Sequence, residues 1–127
     1  MPLVRISLMR GKLEGFGKRV GDVVYRTMVD TINVPAQDNF QIFTEHDSST
    51  LVYDPSYLEI PRTDGIVIIQ ITLNEGRAVE LKKTFYKTLA DRFHRELGIR
   101  MEDVFVSLVE VKKENWSFDN GVAQYAP

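Results

Sequence analysis

The sequence predicts an α/β (α+β) chain in which two consecutive βαβ units build one four-stranded mixed sheet, with two helices on one face and short hairpin strands added. Three observations carry this. Residues 3–9 alternate side by side in the period of a strand, and Ile66 to Leu73 form a run that is apolar on both faces. Each strand leads through a glycine-marked turn into an amphipathic helical stretch. The chain also overlays on itself without gaps at a shift of 65 residues, which places Ile6, Leu8 and Gly11 on Ile71, Leu73 and Gly76. In the same register Phe16, Val20, Val24, Met28 and Ile32 fall on Leu81, Phe85, Leu89, Phe93 and Leu97, and Val34, Asp38 and Phe40 fall on Ile99, Asp103 and Phe105. A single domain over 1–127, with a pseudo-repeat of 1–65 and 66–127, is therefore expected.

In chain order, Pro2 stands at the start of the first strand, where its missing N–H costs no ladder bond. Gly11 and Gly15 bracket a turn into the first helix. Gly17 and Gly21 weaken that helix by up to about 1 kcal/mol each relative to alanine, so packing has to hold it. Asn33 ahead of Val34-Pro35 stops it. A strand follows over 40–44. Residues 46 to 64 carry two Asp/Pro turn clusters around Leu51-Val52-Tyr53 and read as a long loop or short hairpin. The 66–73 strand is expected in the middle of the sheet, and Asn74-Glu75-Gly76 turns into the second helix, capped by Gly98. Val104 to Val111 form a further strand, and Asn120-Gly121 mark a hairpin turn into a last short strand ending near Tyr125. The helices cover one face, and the other is expected to be apolar and buried against copies of the same chain.

Composition narrows the chemistry. With 127 residues, 43% hydrophobic, the chain can bury one core. Its formal net charge is -2 and no run of like charge exceeds two residues, which speaks against nucleic acid and anionic membranes as partners. Cysteine is absent, so thiol catalysis, disulfides and thiolate metal sites are excluded, and His46 and His94 lack a ligand cluster; no metal or organic cofactor is expected. No secretory leader pattern and no apolar run of spanning length is present, which makes a cytoplasmic location the expectation.

If the two units are related by an approximate two-fold axis, their first strands run antiparallel in the middle of the sheet, and the start of one lies beside the end of the other. Pro2 then meets residues Asn74 to Arg77 at one edge, and Asp38 returns to that edge ahead of the strand parallel to the first. Trimming of Met1 would leave Pro2 a secondary amine, a group able to move protons near neutral pH, since an ordinary α-amino group titrates around 7.7–8.0. The helix start after Asn74 offers N–H groups and a positive dipole end, and Arg77 a fork shaped for a carboxylate.

The start Met1-Pro2-Leu3, the two halves, Asn33-Val34-Pro35 with Asp38 behind it, Gly76-Arg77, and Asn115-Trp116-Ser117-Phe118 resemble the tautomerase superfamily (4-oxalocrotonate tautomerase-like), and within it the malonate semialdehyde decarboxylase group. The resemblance covers essentially the whole chain. It implies a homotrimer with Pro2 as catalytic acid or base, Asp38 working beside it, Arg77 binding a small carboxylate substrate, and Trp116, Phe118 and Tyr125 as an aromatic wall. Some decarboxylases of the group place two arginines after the third main strand; here Asn74-Glu75-Gly76 precede a single Arg77. A cofactor-independent keto–enol tautomerase acting on 2-oxo or enol acids is thus the first expectation, a malonate semialdehyde decarboxylase or hydratase the second. A non-catalytic oligomeric binding protein of the same fold is the third.

Overall fold

The computed structural model describes residues 2–127, and the state of Met1 lies outside them. The chain runs β1 (Leu3–Met9), α1 (Phe16–Thr31), β2 (Phe40–His46), β3 (Val67–Asn74), α2 (Val79–Leu97) and β4 (Val104–Val111), with short 3₁₀ turns at Tyr57–Glu59, Met101–Asp103 and Lys113–Asn115. The sheet order is β2-β1-β3-β4. β1 and β3 are antiparallel in the middle, while β2 and β4 run parallel to β1 and β3 respectively. Each parallel pair needs a helical crossover, and α1 and α2 supply them. Shifting the first three elements by 65 gives 68–74, 81–96 and 105–111, within two residues of β3, α2 and β4.

Both helices lie on one face. Val4 and Ile6 of β1 pair with Ile71 and Ile69 of β3, and all four are fully buried against Val20, Val24, Phe85, Leu89 and Phe93 of the helices. Each such side chain contributes about 1.5–3 kcal/mol relative to exposure. Arg26–Glu96 at 2.6 Å and Arg92–Asp30 at 2.9 Å tie the helices together at the surface, where pairs of this kind contribute about 1 kcal/mol or less. The unfavourable Gly21 has a packing reason. A Cβ there would stand 2.2 Å from Gln41 Oε1 and 2.8 Å from Phe43 Cζ, so the bare backbone lets α1 approach β2, and Gln41 Nε2 donates to the Gly21 carbonyl at 2.8 Å. Asn33 ends α1 at φ 61°, and Gly98, its counterpart in the second half, ends α2 at φ 69°.

Three expectations need correction. The face away from the helices is not uniformly apolar: Arg5, Ser7, Gln70 and Thr72 run along its middle, with Phe40, Ile42, Phe105 and Val109 exposed on its flanks. Its far end is covered from within the chain, where Leu51 of the 47–66 segment packs on Met9 and Ile66. That segment takes the looped form of the two expected for it, with one 3₁₀ turn. After Trp116 there is only an isolated bridge, Asp119 to Val122, across the Asn120-Gly121 turn, and no strand reaches Tyr125. Gln124 explains this, because its side chain accepts from the Phe118 N–H at 2.9 Å and donates to Asp119 Oδ1 at 2.6 Å, closing the tail on itself.

Asp103, counterpart of Asp38, is 1% exposed and holds the loop: it accepts from the Thr63 N–H at 2.8 Å and from Thr63 Oγ1 at 2.6 Å. Asp103→Ala removes two hydrogen bonds to a buried carboxylate and is expected to lower the unfolding free energy by about 1–3 kcal/mol in a urea titration. An unchanged midpoint would show the latch to be dispensable.

Candidate active site

One end of the sheet collects the candidates. Pro2 is buried one step ahead of Leu3, which pairs with Phe40 on one side and Thr72 on the other. Asp38 sits on the turn that leads into β2, so it lies beside the start of β1; Asn74 ends β3, and Arg77 follows it. Trp116, Phe118 and Tyr125 come from the segment after β4, which the Lys113–Asn115 turn brings back over the same end.

A cleft of about 360 Å³ opens there, lined by Ala36, Gln37, Asp38, Phe40, Phe118 and Tyr125. Trp116 backs its aromatic side: Trp116 and Phe118 lie stacked 5.6 Å apart at 14°, and Tyr125 meets Phe118 edge-on at 5.2 Å and 79°. Such contacts stiffen an exposed tail by about 0.5–1.5 kcal/mol each beyond area burial. Trp116 is further fixed by its Nε1–H, which donates to Asn74 Oδ1 at 2.7 Å. Asn74 thus anchors the wall through its side chain. The turn carrying Asp38 is held by its own N–H on the Pro35 carbonyl at 3.2 Å, and by the Gln37 N–H donating to the Tyr25 hydroxyl of α1 at 2.8 Å. Gln37 stands at φ 73°, an uncommon conformation for a residue with a Cβ.

Arg77 is placed at this end but does not line the cleft. Its Nε–H donates to the Ile32 carbonyl at the end of α1 at 2.6 Å, and Nη1 to the Asn74 carbonyl at 3.1 Å, which commits two of its five donors to backbone. The expected anion site over residues 74–77 is also narrower than the sequence suggests. The Glu75 N–H is taken by the Val111 carbonyl at 2.9 Å, and α2 begins only at Val79, behind Ala78. Near Arg77 stands Glu110. Its hydrogen bond to Lys82 is the largest influence holding that carboxyl below the usual range; partial burial opposes it, and the Lys82 charge, the Gly76 N–H and Arg77 add to it.

Sequence reasoning passed over Gln37, Tyr25 and the Lys82–Glu110 pair. Phe40, which also lines the cleft, carried a signal, since its repeat partner Phe105 holds the equivalent place on β4, whereas Gln37, Tyr25, Lys82 and Glu110 bear no motif. At the opposite end a cleft of about 370 Å³ is lined by Arg10, Lys12, His46, Asp47 and Asp64 among others, cations matched by carboxylates. Among the described residues no group of three or more His, Cys, Asp or Glu side chains could hold a metal, and no helix is long and apolar enough to cross a membrane.

Residues 38–119 match a family described as a tautomerase enzyme. The chain is 42% identical over 124 residues to the probable tautomerase YusQ of Bacillus subtilis (strain 168), covering 98% of each protein. It is similar in structure to a malonate semialdehyde decarboxylase, with a TM-score of 0.87 and 32% identity over 97% of this chain and 95% of the other. The symmetric trimer of a fused 4-OT shares the fold, with a TM-score of 0.77 at 22% identity and 98% coverage of both chains.

Proposed function

Since this chain belongs to the tautomerase superfamily, we propose that it is a keto–enol isomerase in which the Pro2 amine, freed by loss of Met1, moves a proton on a small 2-oxo or enol carboxylic acid. The observation that carries this is the place of Pro2: it is buried one residue ahead of Leu3 of a central strand, and Leu3 pairs with Phe40, which lines the aromatic-walled cleft together with Asp38. A strand in the middle of a sheet cannot fray, so an amine there keeps one position relative to bound substrate, and positioned proton transfer contributes about 10²–10⁴-fold. The aromatic wall, with Phe118 stacked on Trp116 and Tyr125 set edge-on to Phe118, offers an apolar surface to a planar conjugated enol. Asp38 orients water or substrate beside the amine. Arg77 holds the substrate carboxylate with the donors that Ile32 and Asn74 leave over, and polarises the adjacent carbonyl.

The similarity to malonate semialdehyde decarboxylase supports a second reading, in which Pro2 is cationic and acts as the acid in decarboxylation or hydration. The pH profile separates the two. A limb of kcat/KM below the ordinary α-amino range of about 7.7–8.0 marks Pro2 as a base active once deprotonated, and one above it marks an acid whose activity is lost as pH rises. We further propose a homotrimer, because the apolar flanks of the open sheet face forfeit about 25 cal/mol per Å² when left in water. One preparation tests the whole proposal: intact mass for loss of Met1, light scattering for three copies, and turnover of phenylenolpyruvate and malonate semialdehyde. Retained Met1 on most chains would rule out Pro2 chemistry, and a monomer mass at micromolar concentration would rule out the trimer. An inactive protein lacking Met1 would favour a binding role for the same cleft.

A further inference from the structure

We infer that Glu110, neutralised by Lys82, is a positioning residue that fixes the Arg77 turn and keeps the Arg77 charge available for substrate. The inference rests on Arg77 as the carboxylate-binding group of the proposed function. Its basis is the way β4 grips the end of β3. Leu73 and Asn74 pair with Glu110 and Val111, and the Glu75 N–H donates to the Val111 carbonyl at 2.9 Å. The next N–H, that of Gly76 at φ 117°, lies on the Glu110 side of the turn and helps hold that carboxyl below the usual range. The end of β3 and the turn after it are thus set against Glu110 and Val111, two consecutive residues of β4. Arg77 follows directly, and its own bonds to the Ile32 and Asn74 carbonyls complete the placement.

A carboxylate this close to a substrate-binding arginine raises a difficulty, because it competes with the substrate for the guanidinium. Lys82 resolves it. Lying one turn into α2, it forms an ion pair with Glu110 Oε1, and the side chains are only 19% and 31% exposed, so the pair is shielded from water and salt more than a surface pair would be. With Lys82 present, Glu110 stays on the Gly76 side of the turn and leaves Arg77 on its backbone acceptors. With Lys82 removed, Glu110 becomes an uncompensated anion within electrostatic reach of Arg77 and draws the guanidinium from its place.

Lys82→Met, Glu110→Gln and the double variant of the full chain test this by sign. Two readouts are compared: KM and kcat on phenylenolpyruvate, and the NMR resonance of the Arg77 Nε–H, which needs no turnover. Lys82→Met is expected to raise KM roughly 10-fold with little change in kcat, and to shift the Nε–H resonance as its acceptor changes from the Ile32 carbonyl to Glu110. Glu110→Gln keeps a neutral, weaker acceptor on the Gly76 side of the turn, so alone it raises KM by less than Lys82→Met does, and added to Lys82→Met it returns both readouts toward the Glu110→Gln level. A merely structural pair would instead show additive losses. An unchanged KM and resonance in Lys82→Met, or a double variant as impaired as Lys82→Met, overturns the inference. A wild type that does not turn over the enol acid counts against the proposed function alone, and the resonance pattern across the variants still decides this inference.

Discussion

Pro2→Ala, in chains shown by mass to begin at residue 2, is expected to lower kcat by roughly 10²–10⁴-fold while KM stays within a few-fold of wild type. Alanine keeps an amine at the same point of β1, but a primary one without the ring that fixes its direction. The strand itself is not disturbed, because Leu3 onward carries the pairing with Phe40 and Thr72, and the helix-facing core begins at Val4. Turnover falls because the proton donor or acceptor is displaced, and substrate affinity does not, because the cleft is lined by Asp38, Phe118 and Tyr125. Full activity of Pro2→Ala would end the assignment of this sheet edge as the catalytic one.

Arg77→Ala is expected to act on two observables at once. Loss of a charge-assisted contact to the substrate carboxylate raises KM roughly 10–100-fold, with kcat less affected if the carboxylate is held alike in ground and transition states. Residue type marks Arg77 as a ligand for a carboxylate, and the structure adds a cost in folding. Arg77 Nε–H is the donor to the Ile32 carbonyl, and Ile32 is fully buried at the C-cap of α1, so removing the side chain also leaves that carbonyl unpaired at about 1–3 kcal/mol of stability. Arg77→Lys keeps a charge but not the fork, and separates the effects: it should recover part of KM and little of the stability. A KM for Arg77→Ala equal to wild type, with stability reduced, would make Arg77 a strut between α1 and β3 and remove it from substrate binding.

Much of the fold was legible in the chain because its signals are periodic and local. The alternation over 3–9, the helical spacing from Phe16 to Ile32, and the same pattern 65 residues on specify two strands and two crossovers, and right-handed parallel crossovers leave few ways to arrange them. The positions of Pro2, Asp38 and Asn74 at one edge followed from that topology. So did the stops, since Asn33 and Gly98 are residue types that accept positive φ.

What tertiary structure alone decided concerns residues whose partners lie far away in sequence. Gly21 reads as a weak helix position until Gln41 and Phe43 of β2 show that a side chain would not fit. Asn120-Gly121 reads as a hairpin, and the turn does form, but Gln124 ties the tail back at Phe118 and Asp119, so no strand extends to Tyr125. Asp103 has the same place in its half as Asp38, yet Thr63, on the loop that leads into β3, turns it into a latch. Arg77 is the sharpest case: residue type indicates a carboxylate fork, and the carbonyls of Ile32 and Asn74 determine which of its donors remain to act as one. Periodicity reports which face a residue occupies, because burial is set by the local helix or strand repeat. Hydrogen-bond partners across 40 or more residues are set by where whole elements dock, and the identity of a single side chain does not encode that.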